Sequence, residues 1–179
     1  MVKLNRKDII LYLLYANGMQ PVTGRTRLQK VLFLLEKEQK LASHLKSTFD
    51  FEPWKFGPYS AELLRDIEFL ENVGLLKSKS VGLLGEPERK EQDLASLDYI
   101  DDASEYSPEQ LYVQEEFCLT EHGLKFVQER IEPRLSSKIK TAIATTKKKY
   151  GRLSLSSLLR YVYIKYPRYA AKSELKQYL

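Results

Sequence analysis

The sequence is poor in cysteine, and Cys118 is the only one among 179 residues. A single cysteine excludes an internal disulfide and a zinc site built on several thiolates. Chains without disulfides are typical of reducing compartments. We therefore expect a cytoplasmic protein.

Long apolar runs are also missing. The apolar run near the N-terminus covers residues 9–16, whereas a transmembrane helix needs about 20 apolar residues. A small-residue cleavage site of the kind that ends a signal peptide does not follow it. We expect no membrane contact and no targeting segment.

Residues suited to catalysis are scarce. The eight glycines are scattered and form no glycine-rich phosphate loop. The two histidines are His44, in a polar segment, and His122, just after a helix cap. Cys118 and His122 could form a nucleophilic pair, but the nearby acidic pair Glu115–Glu116 disfavours a thiolate, and a buried thiol is the preferred interpretation. We predict a non-enzymatic protein without cofactor or metal.

The charges are unevenly distributed along the chain. The net charge is +5, made of +4 over residues 1–85, −10 over residues 86–129 and +11 over residues 130–179. An acidic middle and a basic tail suggest either an anionic partner for the tail or docking of the two segments on each other. The sequence leaves both alternatives open.

Helical periodicity dominates the first part of the chain. Apolar residues recur at spacings of three and four, with capping side chains before them and glycine after them. The predicted helices run from Asn5 to Gly18, from Thr23 to Lys40 and from Ser60 to Val73. An extended aromatic segment and the turn Gly57-Pro58 separate the second helix from the third.

A small β element follows the third helix. Strands are predicted at residues 75–79 and 111–119, joined by a long acidic wing at residues 80–110. The predicted fold class is mainly α with a small β-wing, with a winged helix-turn-helix-like core within residues 1–130.

The C-terminal part reads as a second group of helices. They are predicted from Thr120 to Ile131, from Arg134 to Tyr150 and from Ser154 to Tyr166, with a short last helix near residues 171–173. Residues 131–179 form a basic helical extension that we expect to pack on the core. A homodimer through these helices is a further hypothesis.

The third predicted helix is poorly suited to be a DNA-recognition helix. Its predicted outward positions carry four acids and one arginine: Glu62, Arg65, Asp66, Glu68 and Glu71. A helix that reads base edges is normally surrounded by basic residues that contact phosphates. We therefore expect DNA binding, if any, to use another surface.

Two groups of residues are candidates for binding. The first, for a protein partner, lies on the second helix and the aromatic turn: Arg27, Gln29, Trp54, Phe56, Pro58 and Tyr59. Tryptophan and tyrosine are frequent binding hot spots, although a solvated helix face and a small aromatic core are the structural alternatives.

The second group, for nucleic acid, lies in the C-terminal extension: Lys138, Lys140, Lys147, Lys148, Lys149, Arg152, Arg160, Lys165 and Arg168. Tyr161, Tyr163, Tyr166 and Tyr169 lie among these cations and could stack on bases. The alternatives are a solvated face for the cations and core positions for some of the tyrosines.

Three stretches together resemble the prokaryotic YwgA-like family, a distant relative of the Panacea domain of SocA-like antitoxins. They are RTRLQKVLFL at residues 25–34, FEPWKFGPYS at residues 51–60, and YVY with YP at residues 161–167. The resemblance covers most of the chain except the wing. The Panacea turn usually ends in Gly-Pro-Val, where this chain has Gly57-Pro58-Tyr59.

The Panacea relatives resemble antitoxins that neutralise or escort a toxin, whereas the YwgA-like group itself brings no known activity to this chain, so the resemblance supports the fold more than the function. Our leading hypothesis is a non-enzymatic adaptor for a protein partner, antitoxin-like or acting in defence or on mobile elements. The alternative is a DNA- or RNA-binding regulator that uses the basic C-terminal helices.

Overall fold

A computed structural model describes residues 3–82 and 113–175. The protein is mainly helical with a small antiparallel sheet, which confirms the predicted class at that level. Most of the predicted wing, residues 83–110, lies outside the described residues.

Six α-helices are present in the described ranges. They are α1 (Arg6–Met19), α2 (Arg25–Glu38), α3 (Ala61–Asn72), α4 (Glu121–Phe126), α5 (Ser137–Gly151) and α6 (Leu155–Lys165). A π-helical turn, Val127–Ile131, continues α4. Short 3-10 segments lie at Leu41–His44, Glu132–Arg134 and Pro167–Ala170.

The predicted capping residues are mostly confirmed. Asn5 accepts a hydrogen bond from the Lys7 amide, and Ser60 accepts one from the amide of Leu63. Thr120 and Ser154 cap α4 and α6 in the same way. These side chains satisfy amides that would otherwise lack partners in the first helical turn.

The cap predicted at Thr23 is wrong. Thr23 lies in a short strand and pairs with Glu116, while α2 begins after Gly24. Gly24 has a φ of +89°, which favours glycine. Thr23, which the local sequence pattern places at the start of the helix, is therefore part of a β-strand instead.

Two small antiparallel sheets complete the fold. The first contains β1 (Val22–Thr23), β4 (Leu76–Gly82) and β5 (Val113–Leu119), in the order β1-β5-β4. The second is a hairpin of β2 (Glu52–Trp54) and β3 (Gly57–Tyr59). The predicted aromatic segment is thus extended, as expected, and folds back on itself.

The C-terminal helices contribute to the same core as the N-terminal ones. The buried cluster includes Phe33 of α2, Ile143 and Tyr150 of α5, and Leu159 of α6. The Phe33 ring also packs edge-on against Tyr166, with ring centres 5.0 Å apart. No helix in the described ranges is long and apolar enough to cross a membrane.

Candidate functional site

Gln29 clamps two elements together and does not face solvent. Its side chain is 4% exposed. The amide nitrogen donates to the Ser60 carbonyl at 3.1 Å, and the amide oxygen accepts from the Ser60 amide at 3.0 Å. The expectation of an exposed contact residue is therefore wrong, because both hydrogen-bonding groups of Gln29 hold the start of α3 against α2.

Phe56 and Pro58 of the aromatic turn are also buried. Lys30 donates to the Pro58 carbonyl at 3.1 Å, which ties the turn to α2. A Cβ placed on Gly57 would lie 2.7 Å from the Tyr163 ring, so α6 packs directly against the turn. Phe56 and Pro58 are thus packing residues, as in the structural alternative.

The other predicted partner residues reach the surface to different extents. Trp54 is 37% exposed, and its ring centre lies 5.9 Å from that of Tyr59, which is half-buried. Arg27 is also half-buried and donates to the Leu153 carbonyl. The surface of the turn is therefore a Trp54–Tyr59 pair rather than a six-residue patch.

The acidic residues of α3 are partly internal. Asp66 was expected to face outward, but it is 3% exposed and binds Arg6 at 2.8 Å and Lys7 at 2.6 Å. Besides Arg65 and Glu68, the outward face of α3 exposes Phe69, and Val73, the residue that follows α3, is exposed as well. Because Asp66 is buried while Phe69 and Val73 are exposed, this surface is less negative and more apolar than the sequence predicts.

The basic residues of the C-terminal extension lie mainly at the surface. Of the nine predicted for nucleic acid, seven are exposed: Lys138, Lys148, Lys149, Arg152, Arg160, Lys165 and Arg168. Lys165 pairs with Glu38, and half-buried Lys140 pairs with Glu132 at 3.7 Å. The other six exposed cations form no ion pair with a carboxylate of the described residues.

Lys147 is the exception, and its predicted exposed position is wrong. The side chain is 5% exposed, and its ammonium group donates to the carbonyls of Leu14 at 3.1 Å and Ala16 at 2.8 Å. Burial lowers the pKa of Lys147 to about 8. The backbone leaves helical geometry at Ala16, so Lys147 binds carbonyls at the end of α1.

The interleaved tyrosines face inward. The Tyr150 and Tyr161 hydroxyls both donate to Glu38, at 2.6 and 2.7 Å. Tyr163 is buried, and Tyr166 and Tyr169 pack on Phe33. None of the four predicted base-stacking tyrosines is exposed.

A cavity of about 410 Å³ lies where the end of α1, strand β1, α2 and the end of α5 meet. Four cationic side chains line it: Arg27, Lys147, Lys148 and Arg152. No acidic residue is among its described lining residues. This cavity is not predicted from the sequence, because Arg27 belongs to a different predicted group and lies far from the lysines along the chain.

The Cys118 thiol is half-buried and contacts the Lys77 carbonyl at 3.7 Å. Among residues 3–82 and 113–175, no three His, Cys, Asp or Glu side chains lie where they could hold a metal ion.

Comparison with known proteins gives no assignment: no protein-family model matches the chain, and no curated protein is significantly similar to it. The resemblance to the YwgA-like family stays a prediction.

Proposed function

We propose that the protein is a non-enzymatic binding module that holds nucleic acid through its basic C-terminal helices. One observation carries the proposal. Six cations of this segment are exposed and lack an ion-pair partner in the described chain: Lys138, Lys148, Lys149, Arg152, Arg160 and Arg168. Lysine and arginine side chains in this state are available to replace the counterions of a phosphate backbone.

The mode of binding follows from the buried tyrosines. Because the tyrosines among the cations pack inward, stacking on bases adds little, and phosphate contacts dominate. Phosphate contacts carry no direct sequence information. We therefore expect similar affinities for different sequences and a steep dependence on salt.

Salt is the direct test of this function. If about six cations contact phosphates, affinity for mixed-sequence duplex DNA falls ~1,000-fold between about 50 and 200 mM salt. Fluorescence anisotropy of a labelled duplex, repeated with RNA, measures this slope. Absence of binding at the lowest salt would refute the proposal.

A pair of charge-matched variants locates the surface. Neutralising Lys149 and Arg160 to glutamine reduces the slope of log affinity against log salt by about one for each lost contact. The control neutralises Lys3 and Lys46, which are exposed but lie outside the C-terminal helices. Equal effects of both variants would show that net charge, and not this surface, governs binding.

We also propose that α1, α2, α3 and the β4–β5 ladder form a winged helix-turn-helix-like core. The order of these elements and the sheet order β1-β5-β4 support it. In such a core α3 would be the reading helix. The exposed Phe69 of α3, the exposed Val73 just after it and the acidic residues of α3 favour an arrangement in which α3 does not face phosphates.

Binding of a protein partner, antitoxin-like or in defence, is the second candidate function. It is favoured by the partly exposed Trp54 and by Phe69, which is 49% exposed. Trp54→Ala and Tyr59→Ala would then weaken partner binding without unfolding the protein. Loss of the thermal unfolding transition in these variants would show that the two rings support the fold instead.

A further inference from the structure

The cavity beside the end of α5 combines positive charge with a defined shape. Its volume of about 410 Å³ lies within the range of small-molecule sites, roughly 300–1,000 Å³. Its lining also includes the polar side chains of Asn17 and Thr23. Cationic and polar groups therefore surround a space large enough for more than a single ion.

Helix electrostatics explains only part of this arrangement. Lys148 and Arg152 at the end of α5 suit the negative end of the helix dipole, which amounts to about half a charge. The dipole gives no reason, however, for Arg27, on α2, and buried Lys147 to line the same space.

Two of the four cations are held in place by the fold. The Arg27 guanidinium donates to the Leu153 carbonyl. Lys147 uses two ammonium protons on the Leu14 and Ala16 carbonyls, and its third proton has no partner among the described residues. Groups fixed before binding lose little conformational entropy when a ligand arrives.

We propose that this cavity is a binding site for a phosphate monoester, carried by a mononucleotide or by the phosphorylated end of a nucleic-acid strand. A phosphate dianion offers negative charge and several acceptor oxygens to the four cationic side chains that line the cavity. The volume leaves room for the attached nucleoside. This inference goes beyond the proposed function, because a cavity can bind one phosphate whether or not the exposed cations hold a polymer.

The experiment compares two double variants with the same change of charge. Lys148→Gln with Arg152→Gln removes the two exposed cations of the cavity, and Lys138→Gln with Arg160→Gln removes two exposed cations that do not line it. Isothermal titration calorimetry at low salt measures the binding of inorganic phosphate and of adenosine 5′-monophosphate. We expect saturable binding that weakens about tenfold or more in the cavity variant only.

The source of the phosphate is distinguished with oligonucleotides. If a strand end is the ligand, a 5′-phosphorylated strand binds more tightly than the same strand with a 5′-hydroxyl. This difference in affinity is then lost in the cavity variant. If the mononucleotide binds tightly but the two strands bind with equal affinity, the ligand is a free nucleotide.

Two results would overturn the proposal. One is the absence of saturable binding of phosphate, the mononucleotide and the phosphorylated end in the millimolar range. The other is equal weakening in the two double variants. The failure of this inference can be distinguished from the failure of the proposed function. If the Lys149 and Arg160 substitutions weaken duplex binding but the cavity binds no phosphate, the proposed function is supported and only this inference is refuted.

Discussion

Gly123 shows how one backbone contact decides which side chain a position accepts. A Cβ placed there would lie 1.9 Å from the carbonyl oxygen of Leu75. The same junction is held by Thr120, whose amide donates to Leu75 and whose hydroxyl donates to Gly74. The start of α4 therefore packs directly against the chain that leaves α3, and only glycine fits.

At this scale we predict that Gly123→Ala destabilises the fold. Backbone must move to admit the methyl group, and overpacking of this kind costs about 1–3 kcal/mol of unfolding free energy. Urea denaturation followed by circular dichroism measures it. Gly151→Ala is the control, because nothing lies within 4 Å of its added Cβ, and we expect unchanged or slightly higher stability. Equal stability of the two variants would show that the backbone at Leu75 and Gly123 can shift at little cost in free energy.

At the scale of elements, Glu38 joins three helices. It belongs to α2 and accepts hydrogen bonds from Tyr150 of α5 and from Tyr161 and Lys165 of α6. Burial by itself would raise the pKa of Glu38, but the hydrogen bonds from Lys165, Tyr150 and Tyr161 outweigh it and lower the pKa. The ionised carboxylate is thus the form that holds the helices together.

We predict that Glu38→Gln lowers the free energy of unfolding by about 1–3 kcal/mol at neutral pH, because it removes the charge that strengthens these hydrogen bonds. A folded-state pKa below the unfolded value stabilises the protein above the unfolded pKa, about 4.3 for Glu. That contribution is lost as the pH falls through the folded pKa. The difference between wild type and variant should therefore shrink in acid.

Denaturation curves at neutral and acidic pH check this prediction. Glu129→Gln serves as the matched control, since Glu129 is exposed and forms no ion pair with a described residue. Its effect should stay within about 0.5 kcal/mol at each pH. A Glu38 effect that is independent of pH would contradict the role assigned to the carboxylate charge.

At the scale of the whole molecule, the described helices share one hydrophobic core. Leu159 of α6 is fully buried in the same cluster as Ile10 of α1 and Leu32 of α2. Ile164 of the same helix is 75% exposed. The C-terminal helices therefore contribute to the stability of the N-terminal ones through direct packing.

We predict that Leu159→Ala lowers the unfolding free energy of the entire protein by about 2–5 kcal/mol, with a single cooperative transition. Ile164→Ala, a similar truncation at an exposed site of α6, should change it by less than about 0.5 kcal/mol. Calorimetry distinguishes one transition from two. Separate melting of the C-terminal part would show that residues 131–179 form an independent unit.

Much of the local structure is determined by the sequence. The caps Asn5, Ser60 and Ser154 and the helical spacing of apolar residues predicted most helices, because capping and amphipathicity act within a few residues along the chain. The concentration of positive charge in the C-terminal part was likewise visible in the composition.

The tertiary structure alone decided which polar residues remain at the surface. Gln29 meets Ser60 across 31 positions, and Lys147 meets Leu14 across 133 positions. No local pattern contains these partners, and a buried polar group is stable only where such partners exist. The same long-range packing brought Arg27 beside Arg152 and formed the cationic cavity, because a cavity belongs to the arrangement of elements and not to any one of them.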